Sequence, residues 1–316
     1  GALLERRSGQ VTLDANNPCT LTARAEGASV LLDFGTELQG GVQIMVWHTD
    51  DKQPVHLRVR FGESVSEAMS EIGGATNATN DHAIRDQVCL VPWLGTHEIG
   101  NTGFRFVRID FQEPEGWVQL KSVRAVFVYR DVEYKGSFRC SDDRLNRIWS
   151  TGAYTVHLNM QDYLWDGIKR DRLVWIGDMH PETMTILSVF GADGTVPASL
   201  DLIRDETPPG KWMNGISSYS MWWIRIHRDW YWHTGDLAYL REQQPYLAAL
   251  LNQLMGCIGP DGRERLPEMR FLDWPSRADA AATHAGLHAL LVATLDDGAE
   301  LCDVLGDAPL ATRCRR

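Results

Sequence analysis

Hydrophobic and polar positions alternate along residues 10 to about 132 in the manner of β-strands. Short runs rich in Val, Ile, Phe and Trp are separated by clusters of Gly, Asp, Asn and Pro, which is typical of strands joined by turns. The runs are "SVLLDFG", "GGVQIMVW", "VHLRVRFG", "FRFVRIDF" and "WVQLKSVRAVFVY". Many short strands at this spacing predict a β-sandwich over residues 1–132. The long polar stretch 67–86 is interpreted as a flexible loop, with a binding edge as the alternative.

From residue 141 the hydrophobic period becomes that of α-helices. The segment "SDDRLNRIWSTGAYTVHLNMQDY" begins with a Ser/Asp cap and then places apolar residues at near-helical spacing. Further helices are predicted at about 179–190, 217–233, 236–256 and 279–305. The loops between them carry Pro and Gly, and no strand-like alternation of any length is visible. Residues 133–316 are therefore predicted to be all-α and built from helical hairpins.

The composition is that of a folded globular protein. The hydrophobic fraction is 44% and the charged fraction 23%, close to the averages for such domains. The net charge of −11, from 31 basic and 42 acidic residues, repels phosphate backbones, so we do not expect nucleic acid as a partner. No apolar run approaches the roughly 20 residues that span a bilayer. A chain of this length usually divides into two domains.

The cysteines and the N-terminus say little about redox state or location. The six cysteines are scattered, with no C-x-x-C pair and no histidine at zinc spacing, so we interpret them as mostly free thiols. The start "GALLERRSGQ" lacks the apolar core of a signal peptide. Because the chain starts at Gly1 without Met, we expect a trimmed or partial chain. Its compartment stays open between periplasmic or extracellular and cytoplasmic.

Candidate chemistry is concentrated in residues 165–182, "WDGIKRDRLVWIGDMHPE", where charges and rings are interleaved. Cleaving a glycosidic bond needs one carboxylic acid to protonate the leaving oxygen and a second carboxylate as base or nucleophile. Asp171 is a candidate acid if Asp166 and Asp178 converge on it, although the cation of Arg170 favours its ionised form. Trp175 offers a flat apolar face for a sugar ring. The alternative is a loop of surface ion pairs in which Asp178 only caps a helix.

The aromatic segment "YSMWWIRIHRDWYWHTGD" is ambiguous in the same way. Its rings cover more than one helical face, so some must pack in the core and only one or two can line a pocket. Trp230 is our candidate for a pocket residue. His227 and His233 are more often core or surface residues than ligands.

Several of these segments together resemble bacterial α-L-rhamnosidases of glycoside hydrolase family 78. The segment "GSFRCSDDRLNRIWSTGAYTVHLNMQDYLWDGIKRDRLVWIGD" is similar to the domain junction and first helical hairpin of that family. The segments "LLDFGTELQGGVQI", "FGES" and "GFRFVRI" are similar to its preceding β-sandwich, and "YWHTGDLAYLRE" and "FLDWPS" to later elements. The resemblance covers about residues 20 to 300, in order.

The resemblance implies an N-terminal β-sandwich followed by part of an (α/α)6 six-hairpin barrel. The implied activity is inverting hydrolysis of terminal α-L-rhamnosyl groups from an oligosaccharide, polysaccharide or glycoside. Asp171 falls at the position of the general acid, and Asp166, with Arg170 beside it, and Asp178 fall at positions that hold the sugar hydroxyls. Trp175 and Trp274 match tryptophans flanking the pocket.

Departures from the family pattern bear on the acid and on the length of the chain. The usual Cys-Pro after the first aspartate is Gly167-Ile168, and the acid, usually a glutamate, is Asp171 in an ungapped alignment. A gapped alignment would delete the acid instead. Residues 133–316 supply about half of a twelve-helix barrel, and the family's catalytic base is a glutamate late in the barrel. We therefore expect a truncated chain that lacks its base and is inactive by itself.

Two alternatives to an α-L-rhamnosidase stay open. One is a six-hairpin glycosidase that acts on another sugar, since a fold does not fix a function. The other is a carbohydrate-binding relative with impaired catalysis, to which the unusual acid points. We expect no cofactor and no metal site. A structural calcium at "SDD" or "TGD" is the alternative to helix caps there.

Overall fold

The computed structural model describes residues 18–72, 85–267 and 269–316, and the chain divides into two compact units. The first unit runs to Tyr129 and also includes Gly167–Arg172. The second unit comprises Arg130–Asp166 and Leu173–Arg316. The chain therefore leaves the second unit after Asp166 and returns to it at Leu173.

The first unit is built on one antiparallel sheet of six strands in the order β1-β6-β2-β5-β3-β4. Its strands are β1 (Cys19–Thr22), β2 (Ala28–Thr49), β3 (Val55–Gly62), β4 (Asp86–Val91), β5 (Gly95–Phe111) and β6 (Trp117–Phe127). A short helix, α1 (Val65–Met69), follows β3. All five predicted strand segments lie in this sheet, and β1 and β4 are additional.

The predicted runs "SVLLDFG" and "GGVQIMVW" belong to the single 22-residue strand β2. Register shifts against β5, between Asp33 and Leu38 and between Gly40 and Val42, interrupt that strand. Irregularities of this kind bend a strand, which lets one long strand contribute to two regions of a curved sheet. Of the predicted loop 67–86, residues 73–84 lie outside the described residues.

The core of the first unit is formed by apolar side chains on the buried face of its strands. On β3 the side chains of Leu57, Val59 and Phe61 are fully buried. On β5 the side chains of Phe104 and Val107 are equally buried, and the rings of Phe61 and Phe104 pack edge to face with centroids 5.1 Å apart. The burial of these apolar faces is the main stabilising contribution to the unit.

The second unit is helical. Its helices are α2 (Asp143–Asn159), α3 (Met179–Val189), α4 (Thr195–Glu206), α5 (Ser217–Thr234), α6 (Leu237–Met255), α7 (Ala280–Leu305) and α8 (Ala308–Cys314). Beyond residue 150, the strand pairing in the described part of the chain is limited to the isolated bridges Met160–Leu164 and Ile258–Glu264. The predicted fold class, a β-sandwich followed by part of an (α/α)6 six-hairpin barrel, is confirmed as an antiparallel sheet followed by helices.

Aspartates start most of these helices. Asp142, from the "SDD" segment, accepts a hydrogen bond of 2.7 Å from the backbone N–H of Arg144. Asp236, from "TGD", accepts one of 3.0 Å from the N–H of Tyr239. Both side chains thus satisfy free N–H groups at a helix start. The described residues contain no group of three or more His, Cys, Asp and Glu side chains that could hold a metal ion.

None of the described helices is both long and apolar enough to cross a bilayer. The longest, α7, has 26 residues, and it contributes Leu287, Leu291 and Ala299 to the buried core of the helical unit.

Candidate active site

The loop between α2 and α3 carries most of the predicted site residues, and its base is closed by Asp166 and Leu173. The N–H of Asp166 donates to the carbonyl of Leu173 at 3.1 Å. In return, the N–H of Leu173 donates to Oδ1 of Asp166 at 3.0 Å. These reciprocal bonds fix the Asp166 carboxylate at the point where the chain leaves the helical unit. One of its oxygens is thereby occupied by the backbone.

Between these residues, the segment 167–172 belongs to the first unit. It carries Arg170 and Asp171, whose Nε and Oδ1 atoms are 3.8 Å apart. The Asp171 side chain is 27% exposed and that of Arg170 55% exposed. Asp171 and Arg172 both have positive φ, 56° and 55°, which non-glycine residues adopt at a cost and mostly in turns or functional loops. Asp171 thus has a fixed backbone and remains partly accessible to solvent.

The return stretch 174–177 is held by Asn214. The Asn214 side chain donates to the carbonyl of Val174 and accepts from the N–H of Ile176, each at 3.1 Å. Asn214 itself has a left-handed backbone, with φ of 51°. Two backbone hydrogen bonds from one amide orient Trp175, which lies between the two bonded residues.

Gly177 permits close contact with Tyr219. A Cβ added to Gly177 would lie 2.2 Å from Cε1 of Tyr219, so any larger residue would displace that ring. The ring of Trp175 packs edge to face on Tyr219, with centroids 6.0 Å apart. The indole Nε1 of Trp175 is shielded from solvent and has no hydrogen-bond partner among the described residues.

Asp178 occupies the N-cap position of α3 but makes no side-chain capping hydrogen bond. Asp178 therefore lies where the capping interpretation placed it, but its side chain does not supply a capping hydrogen bond. Partial burial raises the pKa of its carboxyl, and the negative charge of Asp273 raises it further. A carboxyl that is not used for capping and lies beside another carboxyl is available to bind a ligand.

Glu182, one turn beyond Asp178 on α3, is a buried carboxyl that sequence reasoning missed. It is 8% exposed, and its Oε1 accepts a hydrogen bond of 3.1 Å from Nδ2 of the buried Asn159. Burial raises the pKa of Glu182 to about 8, and the charges of Asp178 and Asp166 contribute to the increase. Its only available signal was the i+4 spacing from Asp178, which places both side chains on one face of a helix.

Tyr219 lies close enough to the carboxyl groups of Asp166, Asp178 and Asp273 to interact with them. Burial raises the pKa of Tyr219 to about 12, with further contributions, in order, from the negative charges of Asp178, Asp273 and Asp166. Tyr219 and Asp273 were also missed, because residues so far apart in the sequence meet only through the fold. The phenol stays protonated at neutral pH and can donate a hydrogen bond.

Tyr219 is the first of three aromatic rings that pack on one another in sequence. Tyr219 packs on Phe271 with ring centroids 6.2 Å apart, and Phe271 packs on Trp274 with centroids 5.1 Å apart. Trp274 is 69% exposed, and Arg277 lies 5.4 Å from its ring centroid. Aromatic faces beside carboxylates are the combination that sugar rings require, because they pair apolar CH groups with hydroxyls.

Trp230, in contrast, is only 6% exposed and belongs to the hydrophobic core of the helical unit. Its neighbour on the same helix, Trp232, is 61% exposed. The burial of Trp230 leaves it without an open face for a sugar, so its predicted pocket role is corrected to a core role. The helical unit therefore brings together Asp166, Trp175 and Asp178 with the unpredicted Tyr219 and Asp273.

Comparison with known proteins identifies the family. The family model for the bacterial alpha-L-rhamnosidase 6 hairpin glycosidase domain matches residues 133–312. This match covers more than half of the chain. The chain belongs to the bacterial α-L-rhamnosidase six-hairpin glycosidase family. The resemblance inferred from the motifs is thus confirmed.

Individual relatives agree with this family assignment. An alpha-L-rhamnosidase of Formosa agariphila is 25% identical over 260 residues, which cover 73% of this chain and 27% of the relative. The structure of a rhamnosidase from Klebsiella oxytoca with rhamnose bound has a TM-score of 0.78 at 18% identity, covering 94% of this chain and 62% of that one. The GH78 family rhamnosidase of Bacillus sp. GL1 has a TM-score of 0.78 at 24% identity, covering 94% and 32%.

The chain therefore spans about a quarter of the length of the curated rhamnosidase that it matches. It spans between about a third and three fifths of the two rhamnosidase structures. Both units of the chain are represented in these structures, because the structural matches cover nearly all of it. The likeness to the solved rhamnosidases establishes the fold of both units.

Proposed function

We propose that this chain is part of an inverting α-L-rhamnosidase that removes terminal α-L-rhamnosyl groups. The observation that carries the proposal is the grouping of Asp166 and Asp178 around Tyr219, with Trp175 packed on the same ring. Carboxylates hold sugar hydroxyls, and the aromatic ring covers the apolar face of the sugar. Family membership directs the choice of sugar to rhamnose.

In this proposal Asp171 donates the proton to the leaving oxygen. It follows Asp166 by five residues in the family motif and remains partly exposed. Aspartate is one methylene shorter than the glutamate usual at this position, so the loop must hold it closer to the leaving group. Arg170 lies beside it and, with Asp166 and Asp178, is assigned to the sugar hydroxyls.

Inversion requires a second carboxylate that activates water on the opposite face of the sugar. The family resemblance assigns this role to a glutamate late in the barrel. The partners proposed are rhamnose-containing oligosaccharides, polysaccharides or glycosides. The structure of the Klebsiella oxytoca rhamnosidase, which has rhamnose bound, supports this substrate class by analogy.

Two measurements test the proposal. Calorimetric titration with L-rhamnose should show saturable binding, and L-fucose, D-mannose and D-glucose should bind more weakly. Proton NMR during cleavage of p-nitrophenyl α-L-rhamnopyranoside by the full-length enzyme should show β-L-rhamnose as the first product. First release of the α anomer would rule out inversion, and tighter binding of another sugar would favour a six-hairpin glycosidase of different specificity.

A second candidate is a carbohydrate-binding relative with impaired catalysis. The observation that favours it is the aspartate at position 171, where the family usually has glutamate. Saturable binding of L-rhamnose by the full-length protein, without turnover of any rhamnoside, would support this candidate over the first.

A further inference from the structure

Lys169 is a buried cation with no part in the sugar chemistry proposed above. Its side chain is 7% exposed, and Nζ lies 2.5 Å from Oε2 of Glu63 and 2.7 Å from Oε1 of Glu67. All three residues belong to the first unit. A buried ammonium with two carboxylate partners holds its segment firmly, because breaking the pair would leave uncompensated charge in a poorly hydrated place.

The carboxylates that receive Lys169 are themselves fixed. Oε2 of Glu67 accepts a hydrogen bond of 2.8 Å from the N–H of Glu63. The fully buried Arg85 donates from Nη1 to the carbonyl of Glu67 at 3.2 Å, and its Nε lies 4.0 Å from the Glu67 carboxylate. The receiving site is therefore built in advance around helix α1.

The charges in this cluster balance. Lys169 and Arg85 are the two cations, and Glu63 and Glu67 are the two carboxylates. Glu37 lies close enough to interact with the others, but burial, followed by the charge of Glu63, raises its pKa to about 8. Glu37 is therefore mostly protonated at neutral pH and adds no third negative charge.

Two further contacts hold the same segment. Ile168 is 6% exposed and packs so closely on Gly103 that a Cβ there would lie 2.6 Å from Cγ1 of Ile168. Nη1 of Arg172 donates to the carbonyl of Asn101 at 2.7 Å. Anchors on both sides of Asp171 explain how it and Arg172 are kept in the left-handed conformation, which needs support from the surrounding structure.

We propose that Lys169 is a positioning residue for Asp171: its contacts with Glu63 and Glu67 fix the segment 167–172 on the β-rich unit and so set the place of the proton donor. The proposal rests on the proposed function for the role of Asp171. A general acid acts only within hydrogen-bond reach of the leaving oxygen, and small displacements of reacting groups are costly to rate. Lys169 would thereby affect catalysis through the placement of Asp171, without contacting the substrate.

Three variants separate positioning from general stability. Lys169→Met removes the ammonium and keeps the length of the side chain. Lys169→Arg keeps the positive charge and should restore much of the lost function. Lys52→Met makes the same change of charge at an exposed position of the first unit and is the matched control. Thermal denaturation of each variant establishes that it is folded.

The first readout is amide hydrogen exchange in the 316-residue chain, which requires no activity. Exchange at residues 167–172 should be at least about tenfold faster in Lys169→Met than in the native chain, because lost contacts permit local opening. It should be unchanged in Lys52→Met and largely restored in Lys169→Arg. Equal exchange in the native chain and in a folded Lys169→Met would overturn the proposal.

The second readout is hydrolysis by the full-length enzyme of two rhamnosides that differ in leaving group. In Lys169→Met, kcat should fall on the order of a hundredfold for a rhamnosyl disaccharide and less than about tenfold for p-nitrophenyl rhamnoside, because an activated leaving group needs less protonation. KM should change less than about twofold. An equal loss of kcat on both substrates would overturn the positioning role.

The two readouts distinguish the possible failures. If the native full-length enzyme cleaves no rhamnoside, the proposed function is wrong. The proposed effect of Lys169 on catalysis is then wrong as well. The exchange measurement still decides whether Lys169 anchors the segment. If the native enzyme is active and exchange does not change, the proposed function stands and the anchoring is wrong.

Discussion

Asn159 donates a hydrogen bond of 3.1 Å from its side-chain amide to the carboxyl of Glu182. Asn159 ends helix α2 and Glu182 lies in the first turns of α3, so this bond joins the two helices that flank the site loop. The carboxyl is protonated at neutral pH, because burial raises its pKa to about 8. A neutral Glu182 spares the site a third negative charge beside Asp166 and Asp178.

The stability of the chain should therefore depend on pH through Glu182. Between its ordinary pKa of 4.5 in the unfolded chain and about 8 in the folded chain, the folded state holds a proton that the unfolded state has lost. Stability from this group is thus present below pH 4.5 and falls as pH rises to 8, with a slope of up to about 1.4 kcal/mol per pH unit. Urea denaturation at pH 5, 6, 7 and 8 measures the slope.

Glu182→Gln should remove this component, since the amide mimics the protonated acid and does not ionise. Glu206→Gln, an equal change at an exposed position on α4, should leave the slope as it is. Identical slopes in the native chain and in Glu182→Gln would contradict the assignment of a protonated Glu182.

Asn214 should contribute to stability through two hydrogen bonds and a tolerated left-handed backbone. Asn214→Ala loses the bonds to Val174 and Ile176 and places a less suited residue at φ of 51°. We expect a loss of about 2–4 kcal/mol in the free energy of unfolding. Asn214→Gly loses the same bonds without the backbone strain and should be less destabilised, which denaturation of both variants tests.

Asp171→Asn should lower kcat of the full-length enzyme by about 10²- to 10⁴-fold on a natural rhamnoside. The loss should be smaller on p-nitrophenyl rhamnoside, whose leaving group needs less protonation. Asp166→Asn and Asp178→Asn should impair both substrates alike, because contacts with the sugar serve both. If Asp171→Asn costs the same on both substrates, the assignment of the acid is wrong and the gapped alignment is favoured.

Substitution by alanine should mainly lower stability at Trp230 and mainly weaken sugar binding at Trp274. Trp230→Ala opens a cavity in the helical core and should cost about 3–5 kcal/mol of stability. Trp274→Ala removes an exposed ring and should change stability by less than about 1 kcal/mol, while weakening L-rhamnose binding. Denaturation and calorimetry of the same two proteins give both quantities. Unchanged rhamnose affinity in Trp274→Ala would remove this residue from the proposed site.

The change from strands to helices could be predicted because the spacing of hydrophobic residues along the chain changes with it. The alternation in "VHLRVRFG" and the spacing after Ser141 each reflect one face that must be buried. Short elements without a full period were missed, among them β1, with four residues, and α8, with seven. Helix α4 was also missed, although Val196, Leu200 and Ile203 carry helical spacing.

The sequence predicted which residue types the site uses, since the motif around Asp166, Trp175 and Asp178 resembles that of the family. The distant residues that lie near them became visible in the folded chain. Tyr219 and Asp273 meet Asp178 through packing of helices and loops, and the aromatic pattern of α5 did not show that Trp230 is buried. The anchoring of Lys169 by Glu63 and Glu67 joins residues about 100 positions apart. Such partners are selected by burial and charge compensation in three dimensions, and no local pattern records them.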